Sequence, residues 1–293
     1  MSKRLLHSGG DHGSDRAGPA DIARRPRYGQ RVTEIHFQLL RGAGFVLAVG
    51  LAVALQRLSP HARLRGAWRV NGGFWVVNLV VLGVVCGACA CTASLWAAAH
   101  GFGALHLAAA PAWIAIPVTV VVLDLLSYGW HRANHAFGPL WRFHRVHHSD
   151  TTFTVSTAAR FHPGELLLSL PLRLAAVVAL GAPVAGIVVF EVLFTFANFV
   201  EHGDIDYPRA LERRLQRAFV TPALHRRHHG RADGQLGSNF GTIFSVWDRW
   251  LRTYGESTSA AVVRTGLPGQ ADALGLRAAV ALPLRTLGRW PGR

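Results

Sequence analysis

His131-Arg132-Ala133-Asn134-His135-Ala136-Phe137-Gly138-Pro139-Leu140-Trp141-Arg142-Phe143-His144-Arg145-Val146-His147-His148 is the stretch on which the reading of this chain turns. Five of its eighteen residues are histidine, spaced as His131-x3-His135 and His144-x2-His147-His148. On an α-helix, residues three or four apart share a face, so each cluster aims two imidazoles at one point. The second spacing returns far downstream as His225-x2-His228-His229, and His202 stands two residues past an apolar run. A single HxxxH is equally well explained by a buried, hydrogen-bonded histidine or a wet surface one. Three spaced clusters are not. Neutral imidazole is the commonest nitrogen ligand of zinc, copper, iron and nickel. These nine residues, His131, His135, His144, His147, His148, His202, His225, His228 and His229, exceed the four ligands of one tetrahedral zinc, so two ions fit better.

Working outward, composition says where such a site would sit. Of the 293 residues, 50% are hydrophobic and 16% charged, against about 25% charged in soluble domains. That composition predicts a membrane protein. The formal charge of +15 is carried by cations that flank apolar runs, with no aromatic-basic binding module, so membrane topology explains it better than nucleic acid. Cys86, Cys89 and Cys91 lie inside one apolar run and read as small apolar residues, with no disulfide framework.

Along the chain, residues 1–35 lack apolar periodicity and read as a disordered tail, not a cleavable signal. The run at 42–56 is short for a span unless 37–40 join it and Arg41 snorkels. Residues 74–96 read as a clear span, and 105–128 as another, bent at Pro111 and Pro117 and running directly into His131. Two further limbs, 166–180 and 184–200, form a hairpin about Gly181-Ala182-Pro183. An even number of limbs returns the chain to the side it left, so the candidate histidines, His162 included, share one side. The turns at 97–104 and 181–183 have no Lys or Arg, whereas 57–73 and 130–163 have four each. The positive-inside rule then makes the histidine side cytoplasmic. Arg24, Arg25, Arg27 and Arg31 conflict with this if 37–56 crosses. The last segment, 256–293, is a basic tail with an apolar stretch at 276–287 and no assigned role.

The expected fold is therefore all-α: an integral membrane helical bundle with a cytoplasmic histidine-rich metal-binding cap. Polar residues inside the spans also point to the site. Asp124 lies seven residues before His131, about two turns, on the same face. Glu191, Thr195, Asn198 and His202 step by three or four along one stripe. Asp124 and Glu191 are read as partners holding ligating imidazoles in one tautomer, or as a pair bridging two helices. Asn198 can hold a water at an open coordination position. Carboxylates are otherwise scarce, which excludes a Glu-x-x-His ferritin-like bundle, and Arg132 excludes a zincin. A non-redox histidine-rich membrane metal-binding or transport protein, and a haem electron carrier, are the competing readings.

At this point the pattern resembles the fatty acid hydroxylase and sterol desaturase superfamily of membrane di-iron enzymes. The matching pieces are Asp124-x6-His131-Arg132-x2-His135, Trp141-Arg142-x-His144-x2-His147-His148-Ser149, Arg160-x-His162-Pro163-x-Glu165, Asn198-x3-His202, His225-x2-His228-His229, Ser238-Asn239-Phe240-Gly241 and Trp247-Asp248-Arg249. They run over roughly residues 57–254, so 36–255 is expected to be the hydroxylase or desaturase domain. The resemblance implies two iron ions (Fe2+/Fe3+), O2 as co-substrate and attack on a C–H bond of a lipid, fatty acyl or sterol-like substrate. It adds His162, Glu165 and Asn239 to the residues supporting the metal ligands. Relatives have a second HxxxH where this chain has Asn198-x3-His202. The chain lacks dinucleotide, iron–sulfur and haem motifs, so a separate electron donor of ferredoxin, rubredoxin or cytochrome b5 type is expected. A bacterial inner membrane is the expected location.

Overall fold

The computed structural model describes residues 25–59, 67–85, 89–232, 234–256 and 263–286; for 25–33 and 82–85 the backbone alone is described. The expected tail therefore lies mostly outside the described residues, but its boundary moves. Helix α1 runs from Arg25 to Leu58, beginning ten residues before the expected end of that tail. Once a helix is nucleated, each added residue gains a backbone bond, so propagation does not need apolar residues.

The apolar runs become helices, with one change. In the expected span at 74–96 the described residues form α2 (Trp68–Val85) and α3 (Cys89–Ala99). The expected span at 105–128 is cut. A single turn, α4 (Ala104–Leu107), ends before Pro111, which caps α5 (Ala112–Ala136). Proline disfavours helix in the residue before it, so the chain breaks at 108–111 and restarts. In exchange α5 continues past the expected exit and carries His131 and His135 on its own last turns.

After α5 come α6 (Gly138–His148), a 3-10 turn (Val155–Ala159), α7 (Pro163–Leu180), α8 (Val184–Glu201), α9 (Arg209–Leu215), α10 (Pro222–His228), α11 (Val246–Trp250) and α12 (Leu276–Val280). No strand occurs among the described residues, which hold two isolated bridges, Phe219 with Phe244 and Gly230 with Thr265. The α7–α8 turn closes on Gly181, whose φ of 67° is the left-handed C-cap conformation. A Cβ on Gly103, at φ 105°, would collide with the Gly181 backbone, so these two turns pack as glycine against glycine.

Among the described residues, four helices are long and apolar enough to cross a bilayer: Glu34–Leu58 within α1, then α5, α7 and α8. Between 11% and 39% of each is buried inside the protein, so most of their apolar surface faces outward, as lipid-facing helices require. Val46, Leu47, Leu168 and Leu193 are among the exposed large side chains. The protein is an integral membrane helical bundle. α1 packs along α8, where Gly44 makes room for Val192. Its Gln56 side chain accepts from the amides of Val155 (2.9 Å) and Asp204 (3.0 Å), which places the C-terminal end of α1 at the histidine end. Glu34 lies instead beside Thr92 (3.1 Å), and Phe37 packs in the core with Cys91, Ala182 and Ile187.

The C-terminal segment also finds a place. Phe74, Val146, Ala279 and Leu282 form one buried cluster. The Arg145 guanidinium donates to the carbonyls of Leu282 (2.5 Å), Arg285 (2.8 Å) and Thr286 (3.1 Å), and Arg142 donates to Pro283 (3.1 Å). Two arginines of the histidine-bearing helix α6 thus hold residues 282–286 over it.

Candidate metal centre

Four helix ends meet at the site. α5 ends with His131 and His135, α6 ends with His144, His147 and His148, α8 delivers His202 as its C-cap, and α10 brings His225, His228 and His229. The nine imidazoles divide into two groups, each with its ligand nitrogens within 4.8 Å of one another. His131, His135, His144, His148 and His228 make one, and His147, His202, His225 and His229 the other. The division follows helix geometry. Residues four apart (131/135, 144/148, 225/229) stay together, whereas His147 and His228 are rotated off that face into the opposite group. The groups adjoin: the His148 and His229 rings stack at 4.2 Å.

Four imidazoles are oriented from behind. His144 Nδ1 faces Glu165 Oε1 at 2.9 Å, and Asn134 donates to the same oxygen at 3.0 Å. His131 Nδ1 faces the Phe240 carbonyl (2.9 Å), His228 Nδ1 the Ser238 carbonyl (2.7 Å) and His202 Nδ1 the Asn198 carbonyl (2.6 Å). A pure acceptor opposite Nδ1 fixes the proton there and leaves a lone pair on Nε2. Those Nε2 atoms converge. His202 Nε2 lies 3.0 Å from Nε2 of both His147 and His225, and His144 Nε2 lies 3.2 Å from that of His148. Nε2 of His131 and His228 and both ring nitrogens of His135 are buried without a hydrogen-bond partner. Lone pairs gathered in this way, with orphaned buried nitrogens, are satisfied by a cation at the centre of each group.

Burial keeps the rings neutral. It is the largest cause pushing His147, His148, His225 and His229 well below the usual imidazole range, with neighbouring histidines adding to it. His202 is pushed down to about 4 and His228 to about 3, again chiefly by burial. Neutral imidazole is the form that ligates. Aromatic rings wall the site: Phe161 stacks on His147 at 4.2 Å, Trp141 lies 5.0 Å from His135, and Phe240 lies 5.2–5.6 Å from His131, His135 and His228.

Several expected supporting residues do other work. Asp124 holds no imidazole; it accepts from the amides of Ile243 (3.1 Å) and Phe244 (3.2 Å) and from Trp247 Nε1 (2.7 Å). Nor does it pair with Glu191, which forms an ion pair with Arg41 of α1. Sequence order put Asp124 on the right face, but the facing loop reaches it before any histidine does. His162 caps α7, its Nδ1 accepting from Gly164 N at 3.0 Å, and joins neither group. Asn198 donates to the Ala158 carbonyl (3.3 Å), and it is its backbone oxygen that holds His202. Asn239, at φ 60°, donates to the carbonyls of Leu224 (3.2 Å) and Gly255 (3.0 Å), which sets the loop whose flanking carbonyls grip His131 and His228. Asparagine tolerates that conformation better than most residues. Glu165 alone among the expected carboxylates contacts an imidazole of the two groups. Sequence reasoning missed the Ser238 and Phe240 carbonyls, because backbone acceptors leave no trace in residue type.

Residues 116–253 match the fatty acid hydroxylase family, and this stretch contains all nine histidines. That stretch is similar to fatty acid hydroxylase domains. Ornithine lipid hydroxylase OlsE of Rhizobium tropici is 29% identical over 170 residues, 58% of this chain and 50% of that protein. Alkylglycerol monooxygenases of Caenorhabditis elegans and Danio rerio are 28% and 29% identical over 45% of this chain. The chain spans half the length of the first relative and about a quarter of the other two. No solved structure matches.

Proposed function

We propose that this protein is a membrane-bound, O2-dependent di-iron oxygenase acting on a C–H bond of a lipid. The observation that carries the reading is the pair of buried imidazole groups with converging lone pairs inside a stretch similar to fatty acid hydroxylase domains. His131, His135, His144, His148 and His228 would hold one iron and His147, His202, His225 and His229 the other. When bound, the iron pair would supply O2 activation and abstraction from an unactivated C–H bond. The chain's own residues do the rest. Glu165 and the Phe240, Ser238 and Asn198 carbonyls orient rings, and the aromatic wall excludes water. The site lies where apolar helices end, so a lipid chain can reach it without leaving the bilayer. The relatives named for ornithine lipids and alkylglycerols support a lipid substrate.

Electrons would come from a separate protein. Trp250, 73% exposed, stacks edge-on against Trp247 at 5.5 Å. Trp247 packs with Tyr128 and Phe240, and Phe240 borders three ligating histidines. Exposed Arg213, Arg214, Arg217, Arg249 and Arg252 surround this entry in sequence and offer an acidic donor a complementary face. The cytoplasmic side of a bacterial inner membrane suits such a donor.

The test is elemental analysis of purified protein together with incubation of lipid extract, O2 and a reducing donor. The expected result is two non-haem metals per chain, no Soret band and lipid products carrying one added oxygen atom or lacking two hydrogens. Two metals without any oxidised lipid, under several donors, would favour the metal-storage or transport reading.

A further inference from the structure

We propose that residues 264–286 form a clasp that fixes the spacing between the two histidine groups, with Gln270 as its positioning residue. This rests on the two-metal reading above. The segment lies outside residues 116–253, the stretch similar to fatty acid hydroxylases. On the α10 side, Gly230 pairs antiparallel with Thr265. The Arg231 amide donates to the Arg264 carbonyl (3.0 Å), and its guanidinium donates to the carbonyls of Thr265 (2.6 Å) and Gln270 (2.9 Å). Gly266, at φ 113°, passes so close that a Cβ there would strike the Arg231 guanidinium. On the α6 side, Gln270 Nε2 donates to the Ser149 carbonyl at 3.1 Å. The same side chain donates to the Asp272 carbonyl (2.8 Å) and accepts from the Leu267 amide (3.1 Å), so it is held in place. One residue thus ties the ends of α6 and α10 together.

The ties stand beside rings of the two groups. Ser149 follows His148 and Gly230 follows His229, and those two rings stack at 4.2 Å where the groups adjoin. α6 and α10 carry six of the nine imidazoles. Two divalent ions in adjoining groups repel each other, and neutral imidazoles offset none of that charge. The repulsion acts across this seam and pushes α6 from α10. A clasp closed over the seam opposes it. Metal sites need their donors held within roughly 0.5 Å of the productive geometry. A helix as short as α10 does not keep that tolerance unaided. Arg142 and Arg145 anchor the far end of the clasp on α6, so Gln270 pulls against a fixed base.

The experiment loads the full chain in detergent with Co2+ and reads stoichiometry, electron paramagnetic resonance and amide hydrogen exchange. In wild type, two equivalents should bind, and the second should couple magnetically to the first. Coupling between sites is reciprocal, so a clasp that favours metal is itself closed by metal, and loading should slow exchange within 264–286 about fivefold or more. That segment contains no histidine, so direct ligation cannot protect it. Gln270→Glu keeps the side chain's size and loses the donor to Ser149. It should weaken metal binding by a comparable factor and weaken the magnetic coupling, which a change in overall stability alone would not do. Two equivalents bound with unchanged exchange in 264–286 overturns the clasp and leaves the two-metal reading intact, and this result needs no variant. A folded Gln270→Glu protein with wild-type affinity and magnetic coupling overturns the clasp as well. Fewer than two equivalents in wild type refutes the two-metal reading and the clasp with it.

Discussion

Glu165 illustrates how much one side chain behind a ligand can decide. One of its oxygens takes both the His144 Nδ1 proton and an Asn134 amide proton, so the ring can neither flip nor tautomerise freely. Glu165→Ala should lower metal affinity of the five-histidine group about 10–100-fold, read by metal content after dialysis against a chelator, while the detergent-solubilised protein stays monodisperse. The histidines also fix a pH dependence. In the metal-free protein, His202 titrates at about 4 and His228 at about 3, against 6.5 ordinarily. Below pH 6.5 the unfolded chain therefore binds more protons than the folded one. Stability from these groups is complete above that pH and is lost as pH falls toward 4 and then 3. The melting temperature of apo protein should fall over this window, and metal should be released in the same direction as protons compete for Nε2. A flat profile between pH 7 and 4 would contradict the buried neutral imidazoles.

Elements hold one another through polar residues that touch no ligand. Asp124 on α5 gathers Ile243, Phe244 and Trp247, the start of α11. The adjoining Phe240 carbonyl fixes His131. Asp124→Asn removes a charged acceptor from three donors and should cost about 1–3 kcal/mol, seen as a lower denaturation midpoint. It should also loosen His131 without deleting any ligand, so metal binding weakens less than in His131→Ala. Equal metal loss in the two variants would mean that Asp124 acts at the metal. The C-terminal segment is the same kind of device. Its carbonyls satisfy Arg142 and Arg145 and its apolar side chains cover Phe74 and Val146.

At the scale of the whole molecule, α7 and α8 form an out-and-back pair, so the ends of α5, α6, α8 and α10 gather at one end of the bundle. Reporters fused after Gly103 and Ala182 should read one side of the membrane, and those after Ser149 and Gly230 the other. Opposite readings for Ser149 and Gly230 would make one centre impossible. α1 enters the bundle with Gln56 at the histidine end, so a reporter before Glu34 should share the side of Gly103. By charge, the arginine-rich histidine side should be cytoplasmic.

Local chemistry made the ligands and the helical, membrane-bound class legible. Imidazoles three and four apart declare a shared helix face, and apolar runs bounded by arginine declare spans, whatever the rest of the chain does. The nine histidines could be named from the sequence for that reason, and Glu165 only through the resemblance to the hydroxylase and desaturase superfamily. Only tertiary structure decided which histidines gather into which group, because His144 and His147 differ by a rotation that matters only when α10 faces them. It also turned Asp124 and Glu191 away from the imidazoles, toward a loop and toward Arg41, and put backbone carbonyls where side-chain partners were expected. It cut one apparent span, before Pro111, and it folded an unassigned tail over α6. Each of these depends on what lies across the bundle, many residues away, and hydropathy and spacing carry no record of the facing partner.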